Sequence, residues 1–182
     1  MSLPGVTVVG LGPGDARFVT THVVDAIAAT PVRFVRTSRH PSAHLVSDAT
    51  SFDEVYDAAD TFDDVYATIV DRLAAAAAEH GHVLYAVPGS PLVLERTVRR
   101  LRADERVRCD VLPAISFLDV AYERLGIDPD KVPLTYPRYG NVGPAAIPIT
   151  LAGVQDTIEV GERVLCMGIG SGLNTSFTEI VW

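Results

Sequence analysis

The sequence is poor in cysteine and contains no long hydrophobic run. Its two cysteines, Cys109 and Cys166, lie far apart in strand-like segments, and no Cys/His spacing typical of a zinc site occurs. We therefore expect two buried thiols and no metal. No apolar segment approaches the roughly 20 residues that a membrane-spanning helix needs, so we expect no contact with a membrane.

Basic residues are also scarce, and almost all of them are arginines. The chain has 15 Lys and Arg against 23 Asp and Glu, a net charge of −8, and Lys131 is its one lysine. Six arginines form a local cluster: Arg96, Arg99, Arg100, Arg102, Arg106 and Arg108. Because acidic residues flank this cluster, we interpret it as a solvated helix face and strand flank, and we expect no nucleic-acid partner.

The N-terminal segment, MSLPGVTVVGLGPGD, has no basic region ahead of its apolar stretch and enters a glycine-rich loop at once. Secretory signal peptides have a different pattern, so we expect a cytoplasmic protein. A length of 182 residues suits one medium-sized globular domain, or one and a half small ones.

Strand and helix patterns alternate over the first 134 residues. Apolar runs typical of strands occur at 6–9, 32–35, 54–56, 82–87 and 107–112. Helical patterns follow at 21–29, after a capping box at 61–64, after Ser90–Pro91 and after a second capping box at 116–119. This alternation predicts an α/β fold, in which helices cover both faces of a parallel sheet.

Three loops rich in turn residues follow predicted strands, at 10–15, 88–91 and 113–116. Ligands of such sheets bind at the carboxyl ends of the strands, so we expect these loops to converge on one edge. The first loop differs from the dinucleotide fingerprint, because Pro13 removes a donor and Asp15 brings a carboxylate toward any phosphate. It favours a ligand without multiple phosphates.

The character of the sequence changes near residue 134. A connector rich in Pro, Tyr and Gly (133–141) precedes a helical pattern (143–156) and two strand patterns (163–169 and 176–182) joined by a turn at 168–172. A helix and a hairpin cannot bury a core of their own in so few residues. We therefore predict two parts, 1–134 and 135–182: a truncated α/β domain and a short tail.

Three motifs, in matching order and spacing, resemble those of the tetrapyrrole (corrin/porphyrin) methylases. They are ValGlyLeuGlyProGlyAsp (9–15), ValLeuTyrAlaValProGlySerPro (83–91) and ValLeuProAlaIleSer (111–116). The segments PheValArgThrSerArgHisPro (34–41) and PheAspGluValTyrAsp (52–57) resemble the methylase-like domain joined to MazG-type nucleotide pyrophosphohydrolases. This resemblance covers about residues 5–134.

The resemblance implies S-adenosylmethionine as cofactor and methyl transfer to an acceptor that the sequence does not identify. It carries cofactor contact onto seven residues: Pro13, Pro88, Gly89, Ser90, Val93, Ser116 and Phe117. Backbone groups of the turns would bond the polar atoms of methionine and ribose, while the apolar side chains face adenine. Both serines are also candidate helix caps, and the two roles can coexist.

The sequence departs from the family motifs at two positions: Ser90 stands where the family has an aspartate, and Ala114 where it has a glycine. No catalytic residue is predicted. His40 is the most obvious candidate base, but methyl transfer from a sulfonium needs mainly in-line positioning. We expect His40 to be an exposed or locally bonded loop residue.

The tail resembles the C-terminus of thiolase-fold ketoacyl synthases of the type III group, over 139–151 and 161–174. Asn141 matches the asparagine that in this family helps to form an oxyanion site beside a cysteine nucleophile and a histidine. Neither Cys109 nor Cys166 lies in the strand-to-helix context that the nucleophile requires, so we expect no acyl-transfer site.

Three functional interpretations stay open. The first is a methyltransferase of the tetrapyrrole-methylase type, inactive if the second subdomain of that family, which would follow residue 134, is missing. The second is an acyl-condensing protein of the thiolase type, and the third is a non-catalytic regulatory module. The expected partners are a methyl donor and an unidentified acceptor, and a homodimer stays open.

Overall fold

The computed structural model describes residues 3–140, 142–169 and 175–182. The chain divides into two compact units, residues 1–125 and 126–182. This division lies earlier in the chain than the change of sequence pattern near residue 134. Among the described residues, no helix is both long and apolar enough to cross a membrane.

The first unit is built on a five-stranded sheet whose neighbouring strands are all parallel. Its strands are β1 (Gly5–Gly10), β2 (Arg33–Val35), β3 (Thr50–Ser51), β4 (His82–Val87) and β5 (Arg108–Val111). They lie in the order β3-β2-β4-β1-β5. Strand β1 lies between β4 and β5. The loop that follows β1 (10–15, here called the glycine loop) is therefore a neighbour of the loops that follow β4 and β5.

Five helices belong to the first unit: α1 (Thr21–Ala29), α2 (Asp53–Ala58), α3 (Phe62–His80), α4 (Arg96–Arg102) and α5 (Phe117–Leu125). The capping boxes predicted from the sequence begin two of them. The Asp64 amide donates to the Thr61 hydroxyl at 3.2 Å, and the Ser116 amide donates to the Asp119 carboxylate at 2.7 Å.

Helices cover both faces of the sheet, as predicted. On one face Val83, Tyr85 and Val87 of β4 pack in a core with residues of α2, α3 and α4. On the other face Leu84 and Ala86 pack with residues of α1. Because consecutive side chains of a strand point to opposite faces, a strand buried on both sides is apolar throughout, and this is why β4 has the clearest strand pattern.

The strand predicted at 54–56 is wrong, because these residues belong to helix α2. The strand in this region is Thr50–Ser51, which pairs with β2, and the Ser51 hydroxyl then accepts a hydrogen bond from the Asp53 amide at 3.1 Å. Two acidic residues in the first helical turn, Asp53 and Glu54, interact favourably with the positive end of the helix dipole. The local turn chemistry outweighs the strand propensity of Val and Tyr.

The helix predicted to start at Ser90 is also wrong. Helix α4 begins at Arg96. The Ser90 hydroxyl accepts from the Leu92 amide at 3.4 Å in a turn, and Leu94 adopts a φ of +57°, which breaks any helix that began before it.

The second unit contains two helices and a hairpin, namely α6 (Tyr136–Tyr139), α7 (Ala146–Val154), β6 (Arg163–Ile169) and β7 (Thr175–Val181). The strands are antiparallel, with Arg163 opposite Val181, as the sequence predicts. Most of the turn predicted at 168–172, and Asn141, lie outside the described residues. Of the residues that are described in this unit, none is buried.

We expect residues 126–182 alone to lack a cooperative unfolding transition, because none of their described residues is buried and little apolar burial offsets their chain entropy. Residues 1–125 alone should keep a cooperative transition. Thermal denaturation followed by circular dichroism tests both fragments. A cooperative transition of the 126–182 fragment as a monomer would contradict this expectation.

Candidate cofactor site at the carboxyl edge of the sheet

Three loops meet at Gly10, the last residue of β1. A Cβ atom at this position would lie 2.3 Å from the Gly89 carbonyl oxygen, 2.5 Å from the Ala114 Cβ and 2.7 Å from the Pro91 Cδ. These distances are shorter than real Cβ contacts, so only a glycine fits. The loops at 10–15, 88–91 and 113–116 therefore converge on one edge, as expected from the sequence.

Two of these loops are also joined through their backbones. The Gly12 amide donates to the Gly89 carbonyl at 3.2 Å, and the Gly89 amide donates to the Gly12 carbonyl at 2.9 Å. Gly12 has a φ of +67° and Gly89 a φ of +66°, a region that side chains disfavour. The glycines are thus needed for the conformation that lets the loops pair.

The seven residues predicted to contact the cofactor lie on these loops or directly after them. Pro13 follows the paired Gly12, and Pro88 lies beside the paired Gly89. Ser90 and Ser116 are almost fully buried. Half-buried Val93 and Phe117 follow the second and third loops. The structure brings the three loops together, and cofactor contact by the individual residues stays a prediction.

A fourth segment, 37–46, packs on the glycine loop and was not predicted as part of the site. The buried Ser42 donates its hydroxyl proton to the Gly14 carbonyl at 2.5 Å, and its amide donates to Nδ1 of His40 at 3.2 Å. Burial lowers the pKa of His40, and a hydrogen bond to the Gly12 backbone opposes that shift. The lowered pKa favours the neutral form of His40. Its hydrogen bonds join the 37–46 segment to the glycine loop.

Asp53 anchors the start of this segment to helix α2. Its Oδ2 accepts from the Ser38 amide at 2.9 Å, from the Ser38 hydroxyl at 2.6 Å and from the Ser51 hydroxyl at 2.7 Å. Burial alone would raise the pKa of Asp53, but these bonds and one from Thr37 stabilise the ionised form and lower the pKa below its usual range.

A buried ion pair lies behind the second loop, and nothing in the sequence pattern predicted it. Arg36 follows β2 and donates from Nη1 to Oε2 of Glu95 at 2.6 Å. It also donates from Nε to the Tyr56 hydroxyl at 2.7 Å. Burial is the largest single effect and would lower the pKa of Arg36, but the Glu95 carboxylate, Tyr56 and Tyr85 together raise that pKa.

The arginine cluster faces carboxylates. Arg100 pairs with Asp63 at 3.0 Å, and Arg106 pairs with both Asp71 and Asp104 at 2.7 Å. The arginines of these pairs are exposed, which agrees with a solvated face. Absence of a nucleic-acid partner stays a prediction.

The two thiols are half-buried and free. Burial raises the pKa of Cys109 to about 11, so this thiol is protonated at neutral pH and is a poor nucleophile. Cys166 lies within strand β6. Among the described residues, no group of three or more His, Cys, Asp or Glu side chains could hold a metal ion.

Gly10→Ala should destabilise the first unit by about 1–3 kcal/mol, because the added methyl group forces the three loops apart. Gly5→Ala is the matched control at the other end of β1, where the nearest atom to the Cβ, at 2.8 Å, belongs to the exposed His82 side chain, which can move aside. Urea denaturation of both variants measures the difference. Equal stability of the two would contradict convergence of the loops on Gly10.

Asp53→Asn should destabilise the chain at pH 7, and by a smaller amount at pH 3, where part of the stabilisation by the Asp53 carboxylate is already lost. Because the pKa of Asp53 is lower in the folded chain than its ordinary 3.8, its stabilisation is present above that value and is lost as the pH falls through the folded-state pKa. Asp57→Asn, an exposed position on the same helix, is the control. Urea denaturation at both pH values tests this, and a pH-independent difference for Asp53→Asn would oppose it.

Two family models match the chain. The model of the tetrapyrrole (corrin/porphyrin) methylases matches residues 5–135, and the model of the 3-oxoacyl-[acyl-carrier-protein] synthase III C terminal matches residues 111–182. Both resemblances seen in the sequence are thereby confirmed. The matches overlap, so the boundary near residue 134 stays a prediction, and so does the link to MazG-type enzymes.

Two curated relatives reflect the same two parts. Protein YabN of Bacillus subtilis is 38% identical over 131 residues, which cover 68% of this chain and 27% of YabN. An acyl-CoA:acyl-CoA alkyltransferase of Xanthomonas campestris is 46% identical over 59 residues, which cover 31% of this chain and 18% of that enzyme. The chain thus spans only a small part of either relative.

Solved structures show the same fold. Precorrin-6Y methylase (CbiE) of Archaeoglobus fulgidus has a TM-score of 0.59 at 19% identity, covering 97% of this chain and 89% of that one. Uroporphyrin-III C-methyltransferase of Thermus thermophilus, in complex with S-adenosylhomocysteine, has a TM-score of 0.56 at 16% identity, covering 97% and 83%. At these identities the likeness concerns the fold alone. Because its family model matches well over half of the residues, the chain belongs to the tetrapyrrole (corrin/porphyrin) methylase family.

Proposed function

We propose that the first unit binds S-adenosylmethionine at the carboxyl edge of its sheet and supports methyl transfer to a small-molecule acceptor. The observation that carries this proposal is the paired Gly89. Its backbone is fixed by Gly12, yet a Cβ at Gly89 would meet no atom within 4 Å. The loop after β4 therefore presents its backbone to open space at Gly89, which is what close approach of a ligand requires.

The polar groups at this edge suit a zwitterionic amino acid joined to a nucleoside. The hydroxyls of Ser90 and Ser116 each accept a hydrogen bond from a backbone amide, at 3.4 and 3.2 Å. Their own protons are left to be donated to a ligand. The methylase relative crystallised with S-adenosylhomocysteine supports the same ligand class.

S-adenosylmethionine supplies an electrophilic methyl group on a sulfonium. In this proposal the protein contributes position: the paired loops hold the methionine and ribose groups, and Val93 and Phe117 exclude water from the adenine. Such orientation lowers the barrier without an acid or base. His40, whose pKa is lowered and whose Nδ1 accepts from the Ser42 amide, is accordingly not required as a general base in this proposal.

Acyl condensation is the weaker alternative. The synthase III match covers the C-terminal part of the chain, and Asn141 lies outside the described residues. The raised pKa of Cys109 makes it a poor nucleophile, and Cys166 lies within strand β6. Binding of the methyl donor without turnover, as in a regulatory module, is the outcome expected if no acceptor is methylated.

Gly89→Val should abolish binding of S-adenosylmethionine and S-adenosylhomocysteine, because its side chain would fill the open space and its φ of +66° disfavours a β-branched residue. Gly81→Val is the matched control: Gly81 has a φ of +79° and open space beside it, but it precedes β4 at the opposite edge. Calorimetry at millimolar ligand measures both.

We expect wild type and Gly81→Val to bind and Gly89→Val not to bind, with circular dichroism confirming that each is folded. No heat of binding for the folded wild type would remove the cofactor proposal. Equal binding by both variants would place the ligand elsewhere.

A further inference from the structure

The ion pair of Arg36 and Glu95, here called the 36–95 clamp, joins the end of β2 to the residue before α4. The Glu95 side chain is only 3% exposed. Arg36 also donates to the Tyr56 hydroxyl and lies over the Tyr56 ring, 5.7 Å from its centroid. One guanidinium therefore connects β2, helix α2 and the loop that follows β4.

This cluster is not arranged for maximal stability. Oε1 of Glu95 is buried and has no hydrogen-bond partner within the described part of the chain. A buried carboxylate that is bonded through only one oxygen recovers its desolvation cost poorly, and apolar replacements of both partners are often as stable. We therefore explain the Arg36–Glu95 pair by the backbone conformation that it holds in place, and not by a gain in stability.

The conformation in question is that of the loop between β4 and α4. At its start Gly89 is bonded to Gly12, and at its end Glu95 is bonded to Arg36. Just before Glu95, Leu94 adopts a φ of +57° although its side chain is 70% exposed. A leucine in the left-handed region is strained. Because the Leu94 side chain is exposed, its packing cannot hold the backbone in this conformation. The adjoining 36–95 clamp can hold it.

We propose that Arg36 and Glu95 are positioning residues, which hold the β4–α4 loop in its strained conformation and thereby fix the part of the site that carries Gly89, Ser90 and Val93. The effect on the methyl donor rests on the proposed function, whereas the effect on the loop does not.

The test measures loop order and donor binding separately in the full chain. Glu95→Gln removes the charge and keeps the shape. Arg36→Met/Glu95→Met removes both charges, so that no unpaired charge is left buried. Two controls are Asp71→Asn, which breaks an exposed ion pair with Arg106, and Leu73→Ala, which weakens the core through a fully buried residue of α3.

Hydrogen exchange of the peptide 88–95 reports on the loop, whose Gly89 and Val93 amides are bonded to Gly12 and Ser90. We expect both clamp variants to speed exchange of this peptide about tenfold or more, and calorimetry to show S-adenosylmethionine binding weakened on the order of tenfold to a hundredfold. The double variant should show both effects even where urea denaturation finds its stability close to that of wild type. Neither control should change either readout.

Unchanged exchange of the 88–95 peptide in both clamp variants would overturn the proposal. So would a loss of donor affinity that Leu73→Ala reproduces at equal loss of stability, because the pair would then be merely structural. Faster loop exchange together with no donor binding by wild type would overturn the proposed function and the role in donor affinity, and would support the clamp's hold on the loop.

Discussion

Gly10 has no side chain, and the loops after β4 and β5 occupy the space that a Cβ would fill. This close approach places the Gly12 and Gly89 backbones side by side, where they exchange two hydrogen bonds. It also sets how Pro91 and Ala114 pack at the edge of the sheet. A methyl group at Gly10 would push the three loops of the candidate site apart, whereas a substitution further along one loop would affect that loop alone.

Around this contact, polar bonds that cross the sheet edge add to an apolar core that includes Leu11 and Val46. Ser42 ties the 37–46 segment to the glycine loop, Asp53 ties its start to α2, and the 36–95 clamp ties the β4–α4 loop to β2. Hydrogen bonds are directional, so they fix the relative positions of these segments more closely than apolar contacts do. A site that acts by orienting a sulfonium needs this kind of support.

Much of the fold follows from local patterns in the sequence. The capping boxes at 61–64 and 116–119 start helices, and apolar runs give the buried strands. The prediction was wrong where one local signal competed with another, as at 54–56, where β-prone residues follow a helix-starting Ser51 and Asp53. The clamp was missed for a different reason: Arg36 and Glu95 are far apart in sequence, and only the packing of β2 against β4 brings them together. Pairing of this kind leaves no periodicity to detect.

The central claim is that a methyl donor binds where the three loops meet. Titration of the ¹⁵N-labelled chain with S-adenosylhomocysteine, followed by amide chemical shifts, tests it residue by residue. We expect the largest shifts at Gly12, Gly89, Ser90 and Ser116, with little change at Gly81 on the opposite edge. Saturable shifts confined to residues outside these loops, or no shifts at millimolar ligand, would contradict the claim.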